Sequence, residues 1–227
     1  MSRAEMEGSR AVRSPGLADD VAELRRAALR GRWSLGLMAI AWVHLATFTA
    51  SHALYRGGDR TPGRYLAVWG LEFAAVVVLA RRMVTDGGRR PAPPLVGLLA
   101  RIWGTFLILG FSVASLNTMT GSPPDWFKPA WATLSTFGLA MMAWVVSLWF
   151  LVPAVQMSLA ALLMARYLEQ AYLTYAVSWW LVLITVALAV EKARRAAVAT
   201  GGIDRADDPA WDEPGEAVGI GPEARGN

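Results

Sequence analysis

Six runs of apolar residues, separated by short polar segments, occupy the middle of this 227-residue chain. A helix needs about 20 apolar residues to cross the roughly 30 Å hydrocarbon core of a bilayer. Each run therefore predicts a membrane-spanning helix, although the fifth is short. The predicted fold is all-α: a polytopic membrane protein with a bundle of six transmembrane helices over residues 33–191. The runs cover residues 33–55, 65–80, 95–117, 131–151, 153–167 and 172–190.

The boundary between the fourth and fifth runs depends on Pro153. The sequence around it, FLVPAV, contains no charge and no glycine. One unbroken helix over residues 131–167 would have 37 residues and a length of roughly 55 Å, too long for one crossing without a large tilt. Because proline lacks an N–H and clashes with the preceding turn, we expect two helices here. A single kinked helix is the alternative, and it gives five spans.

The two ends of the chain differ in composition from the middle. The whole sequence is 55% hydrophobic and 18% charged, below the roughly 25% charge of soluble domains. Residues 1–32 form a predicted cytoplasmic segment with a short amphipathic helix over residues 17–32, acidic at its start and rich in arginine towards its end. Residues 192–227, rich in Gly, Pro and acid from about residue 200 onwards, are expected to be a largely disordered tail.

Charge placement predicts the orientation. With six crossings, most of the arginines and lysines that flank the spans lie on the side of both termini. Positive residues concentrate in cytoplasmic loops, so we expect cytoplasmic N- and C-termini and a multi-pass protein of the cytoplasmic (inner) membrane. The first apolar run starts only at Trp33, after a polar segment, which favours a retained span over a cleaved signal peptide.

Three ionisable residues inside apolar runs are the main candidates for a functional site. His44 and His52 lie in the first run, and Glu72 lies in the second. In an antiparallel hairpin, helical rise places His52, Glu72 and His44 at depths of about 5, 10 and 17 Å from the outer end. The sequence therefore predicts a His–Glu–His ladder in the outer half of the membrane, to which the hydroxyl of Ser51 can add.

Three interpretations of these residues remain open. Glu72 can form a structural hydrogen bond that fixes the helix pair. It can also titrate in a proton relay or cation site, because ionisable groups inside membranes are often functional. In the third interpretation, His44 or His52 ligates a haem or chlorin, which needs a second histidine from another copy of the chain if two ligands are used.

Secondary polar candidates lie in the fifth run and the turn that follows it. Gln156 is expected to form an interhelical hydrogen bond, the usual role of amides in membranes. Arg166 and Glu169, three residues apart, are expected to form an ion pair at a helix end. A sharper alternative assigns Glu169 to an outer vestibule near His52.

The absence of strong catalytic groups narrows the function. The sequence has no Cys, so it has no disulfides and no Cys-based metal sites; a metal bound by other ligands stays open. It has no phosphate-binding loop and no hydrolase or metalloprotease motif. We expect a non-enzymatic subunit or accessory protein of a membrane assembly. The alternatives are a proton- or cation-coupled transporter or channel using His44, His52 and Glu72, and a haem- or chlorin-binding electron-transfer subunit.

We expect no cofactor for the leading function. The expected partners are the lipid bilayer and either further copies of the chain or another membrane protein. No basic patch with interleaved aromatic residues is visible, so nucleic acid is not an expected partner.

Overall fold

The computed structural model describes residues 16–200 except 32, 60, 86–90 and 121–124, and it leaves the side chains of Pro62 and Thr118 undescribed. In this part of the chain there are seven α-helices and no strand, which confirms the predicted all-α bundle. Two short 3₁₀ turns, Leu148–Phe150 and Leu168–Gln170, precede the last two helices. The helices are α1 Leu17–Arg30, α2 Trp33–Arg56, α3 Pro62–Val84, α4 Pro94–Met119, α5 Phe127–Val145, α6 Leu151–Arg166 and α7 Ala171–Ala199.

Five helices are long and apolar enough to cross a membrane: α2, α3, α4, α6 with its preceding 3₁₀ turn, and α7. The fourth apolar run forms α5, which has 19 residues and carries Lys128 in its first turn. Each of the six apolar runs thus forms its own helix in the bundle, and the alternative of one kinked helix through Pro153 is wrong.

The break between α5 and α6 lies earlier in the chain than Pro153. Helix α5 ends at Val145, and the side chain of Ser147 accepts a hydrogen bond from the backbone N–H of Trp149 at 3.4 Å, which starts the 3₁₀ turn. Pro153 is instead the third residue of α6 and is buried. Proline fits there because the first N–H groups of a helix have no intrahelical partner to lose.

The core of the bundle lies between α2, α5, α6 and α7. The most extensive pairing joins α2 to α7, and α5 packs against α6. Alanines with almost no exposed surface occur on all four of these helices, at Ala41, Ala132, Ala160 and Ala176, and they let the backbones approach closely. Helices α3 and α4 lie outside this core, α3 along α2 and α4 along α5.

The first and last helices of the core meet at one end of the bundle, where the Ser34 hydroxyl donates to Glu191. Helix α1 lies at this same end against α7, α4 and α2, with Leu24 buried. Helix α7 continues to Ala199, past the predicted end of the bundle at residue 191. The predicted disordered tail covers residues 192–227, and its first eight residues are helical instead. Residues 201–227 and the first 15 residues lie outside the described part of the chain.

Candidate intramembrane site

A direct contact between α2 and α3 joins two of the three predicted site residues. The imidazole Nδ1 of His44 lies 2.5 Å from Oε1 of Glu72, and the two side chains are only 14% and 12% exposed. Both residues lie well inside their helices, far from either end. The antiparallel hairpin predicted from the sequence therefore brings this histidine and this carboxylate together.

Aromatic rings surround the imidazole of His44. Its ring centroid lies 4.5 Å from that of Phe48, 5.5 Å from Tyr175 and 5.9 Å from Trp179. The second ring nitrogen, Nε2, is buried and has no hydrogen-bond partner among the described residues. Nε2 is the imidazole nitrogen that a haem iron would need, and in this structure it has almost no exposed surface.

The apolar surroundings favour a net neutral pair. Aromatic and aliphatic side chains cannot solvate an isolated ion, so an unpaired carboxylate at this position is costly. One shared proton makes the pair neutral, either as imidazole and carboxylic acid or as imidazolium and carboxylate. The contact therefore places a basic and an acidic side chain against each other within the bundle.

His52 does not join this pair, so the predicted His–Glu–His ladder is wrong at its outer step. Its Nδ1 is buried without a hydrogen-bond partner in the described region. The level between the histidines is filled from α3 by Trp69, whose indole N–H donates to the Ser51 hydroxyl at 3.1 Å. Eight residues of α2 rise about 12 Å, and a large ring occupies that interval.

Ser51 contributes to the helix pairing and not to a chain of ionisable groups. Its hydroxyl donates to the carbonyl oxygen of Thr47 at 3.0 Å, one turn earlier, and accepts from Trp69. The side chain is fully buried. Both hydrogen-bonding directions of this hydroxyl are therefore used within α2 and α3.

The secondary candidates have separate roles. Gln156 donates from Nε2 to the carbonyl oxygen of Ser178 at 3.2 Å, so the predicted interhelical bond between α6 and α7 is present. The predicted ion pair between Arg166 and Glu169 is wrong. A 3₁₀ turn follows α6, and Glu169 binds Arg56 at 3.3 Å, while Arg166 lies over the ring of Tyr167 at 5.7 Å.

A buried lysine cluster at the same end was missed from the sequence. The ammonium group of Lys128 lies 2.7 Å from Asp125, 3.5 Å from the centroid of the Tyr55 ring and 4.5 Å from that of Tyr172. The Tyr55 hydroxyl donates to the other oxygen of Asp125 at 2.9 Å. A lysine and an aspartate three residues apart at a helix start are ordinary surface features, and nothing in the sequence showed that the tyrosines would cover them.

A small pocket lies between this cluster and the core. The pocket is narrow and open on one side, and its lining is mostly aromatic. The Tyr175 hydroxyl, on the same side, is hydrogen-bonded to Ser135 at 2.9 Å. The pocket is lined by Phe48, Phe127, Lys128, Trp131, Met164, Tyr172 and Tyr175.

Within the described residues, no group of three or more His, Asp or Glu side chains is arranged to hold a metal ion. No protein family, curated protein or solved structure matches this chain.

Proposed function

We propose that this protein is a non-enzymatic subunit or accessory protein of a membrane assembly, and that α3 presents its outer face to a partner. The observation that carries the proposal is the attachment of α3 through the His44–Glu72 contact. In this interpretation the main role of the pair is structural, because it holds α3 against α2. We also infer a cytoplasmic-membrane location with both termini inside, on the distribution of arginine and lysine.

The rest of α3 is open. Only 6% of the residues in its most apolar stretch are buried. Large apolar residues are exposed around this helix, among them Leu71 at 74% and Phe73 at 54% exposure. A Cβ atom added at Gly63 or Gly70 would meet nothing within 4 Å, and glycine positions of this kind let another helix approach closely.

Cysteine cross-linking tests this proposal cleanly because the chain has no native cysteine. Leu71→Cys on α3 and Leu162→Cys on α6, which is 66% exposed, form a matched pair of lipid-accessible positions. In native membranes, a maleimide that carries a photoreactive benzophenone, attached to the new cysteine and irradiated, should give a discrete larger product with Leu71→Cys and none with Leu162→Cys. The mass of that product separates a second copy of this chain from a different protein. Monomer alone at both positions, or equal products at both, would contradict the proposal.

A second candidate function is proton-coupled transport, and the specific support is again the His44–Glu72 geometry. A shared proton between a histidine and a carboxylate is the kind of group that proton pathways use. In this interpretation the pair takes up and releases that proton during transport. His52 is not part of it, because Trp69 and Ser51 lie between.

Liposomes containing the protein and a trapped pH dye test the transport candidate. Glu72→Gln keeps the size of the side chain but cannot exchange the shared proton. It should abolish proton flux that the unchanged protein shows, whereas Glu169→Gln, at an exposed position, should preserve it. Equal flux in the unchanged protein and in Glu72→Gln would remove Glu72 from the mechanism.

A further inference from the structure

The two ends of the bundle differ in whether their cationic side chains are paired with carboxylates. At the end formed by the last turn of α2, the 3₁₀ turn before α7 and the first turn of α5, three of the four described cations contact a carboxylate: Arg56 pairs with Glu169, Arg64 with Asp59 and Lys128 with Asp125. The fourth, Arg166, lies over an aromatic ring.

At the opposite end, where Ser34 meets Glu191, six arginines have no carboxylate partner among the described residues. Glu191 is already used by Arg194 and Arg195. All six side chains are exposed. They are Arg25, Arg26 and Arg30 on α1, Arg81 and Arg82 in the last turn of α3, and Arg101 on α4.

Contacts between the helices place the segments that carry these arginines at the same end of the molecule. A Cβ atom on Gly36, near the start of α2, would come within 2.9 Å of the Met83 side chain, so the end of α3 adjoins the start of α2. Helix α1 packs against α4, whose second residue, Leu95, is buried. Arg101 lies seven residues into α4, about 10 Å along its axis.

We propose that this arginine-rich end binds the headgroups of anionic phospholipids. The arginines border apolar helix surfaces that lie in the bilayer, so phosphate groups of lipids lie at their level. Guanidinium groups bind phosphate oxygens through two parallel hydrogen bonds. Clusters of basic residues beside a membrane span or on an amphipathic helix are the usual basis of anionic-lipid binding, and α1 is such a helix.

Helix α1 is the principal element of this surface. Two of its acids, Asp19 and Asp20, lie in the first turn and the third, Glu23, lies one turn later. Its arginines lie in the second half, and Leu24 is buried against the bundle. The arginines are thus held at a fixed position by the packing of α1. Arg81, Arg82 and Arg101 extend the charge around the adjoining helix ends.

The test uses the full chain in mild detergent, with phosphatidylglycerol or phosphatidylcholine added at the same molar fraction. Phosphatidylglycerol should raise the unfolding temperature by about 2–4 °C for each fivefold increase in the ratio of its free concentration to its dissociation constant. Phosphatidylcholine should leave the unfolding temperature unchanged. The rise should shrink in 1 M salt. Native mass spectrometry should show phosphatidylglycerol adducts retained on the unchanged protein.

Two double variants, one at each end of the bundle, test which arginines the lipid response depends on. Arg25→Gln/Arg26→Gln should lose most of the rise and most of the adducts. Arg56→Gln/Arg64→Gln, at the end with paired cations, should keep both, even if its starting unfolding temperature is lower.

The proposal would be overturned if the arginine-rich end bound something other than anionic phospholipid. An equal rise with inorganic phosphate would mean a free anion site. Residues 201–227 contain seven Asp or Glu and two Arg, and they follow α7 at this end. If phosphatidylglycerol acted only after removal of these residues, the arginines would hold the acidic segment instead of lipid. An equal response to both lipids, or an unchanged response in Arg25→Gln/Arg26→Gln, would also exclude it.

Discussion

The hydroxyl group of Ser34 lies 3.1 Å from a carboxylate oxygen of Glu191, a residue 157 positions later in the chain. Ser34 is the second residue of α2, and Glu191 lies in the last third of α7. The chain therefore leaves this end of the bundle in α2 and returns to it in α7. An even number of passages between the two ends follows from this contact.

The first prediction concerns the sides on which the ends of the chain lie. Single cysteines at Ala22 in α1 and at Ala199 in α7, both exposed, should react with a membrane-impermeant maleimide from the same side of a sealed vesicle. A cysteine at Gln170, in the exposed turn before α7, should react only from the other side. Labelling of Ala22→Cys and Ala199→Cys from opposite sides would break the threading.

The second prediction concerns the His44–Glu72 contact. Glu72→Ala should lower the free energy of unfolding by about 1–2 kcal/mol, because it leaves Nδ1 of His44 buried without a partner. In a double-mutant cycle His44→Ala should couple to Glu72→Ala by about 1 kcal/mol. Helicity followed during denaturation in mixed micelles gives these values. His52→Ala is the matched control on the same helix, and coupling of His52 to Glu72 of the same size would contradict the assigned pairing.

The third prediction concerns the crossing of α4 and α5. A Cβ atom at Gly138 would lie 3.1 Å from the Trp103 ring, whereas one at Gly104 would meet nothing within 4 Å. Gly138→Ala should therefore destabilise the protein by about 1 kcal/mol or more through overpacking. Gly104→Ala should leave stability equal or raise it by about 0.5 kcal/mol, since alanine favours the helix. Equal thermal stabilities of the two variants would contradict this packing.

The fourth prediction concerns the buried lysine cluster. Lys128 is 3% exposed and binds Asp125 beside the rings of Tyr55 and Tyr172. Lys128→Ala should cost about 2 kcal/mol, since it removes the charge partner of a half-buried carboxylate together with two ring contacts.

Arg166→Ala is the control for this variant. Arg166 is an exposed cation over one ring at the same end of the bundle, so its removal should cost less than about 0.5 kcal/mol. Chemical denaturation measures both, and a smaller loss for Lys128→Ala than for Arg166→Ala would show that the cluster does not stabilise the bundle.

The fifth prediction concerns acid. The backbone N–H of Thr61 donates to Asp59 at 2.8 Å and, with the Thr61 hydroxyl and Arg64, holds the pKa of that carboxyl below its ordinary value of 3.8. A carboxyl whose pKa is lower in the folded state stabilises that state above its unfolded pKa, and the contribution is lost as the pH falls through the lowered value. The difference in unfolding temperature between the unchanged protein and Asp59→Asn should therefore be constant above about pH 5 and shrink below about pH 4. A difference that grows in acid would contradict the sign.

Sequence patterns were sufficient to locate the helices. The run predicted over residues 33–55 became α2, Trp33–Arg56, and the run over 95–117 became α4, Pro94–Met119, because long apolar runs leave the backbone no partner but itself in lipid. The α5–α6 break was placed too late, since Pro153 is tolerated in a first helical turn. The sequence marks the observed break only by Ser147, and one hydroxyl residue in an apolar run is not enough to predict where a helix ends.

The candidate site was predictable only where a helical hairpin fixes relative depth. The rise per residue brought His44 and Glu72 close to one level, but it does not tell which way a side chain turns or what fills the space beside it. Trp69 separates His52 from Glu72, and a ring at that position reads in the sequence as ordinary packing. The partner of Glu169 is Arg56, 113 residues away, and such distant pairs depend on how the whole bundle closes.

The pairing of α2 with α7 also sets the order in which the bundle assembles during synthesis. The first membrane helix to leave the ribosome has its largest contact surface reserved for the last one. Until residues 171–199 have been synthesised and inserted, the side of α2 that carries Phe48 stays without its permanent neighbour. The hairpin of α2 and α3 is available early, and closure of the bundle waits until α7 has been inserted.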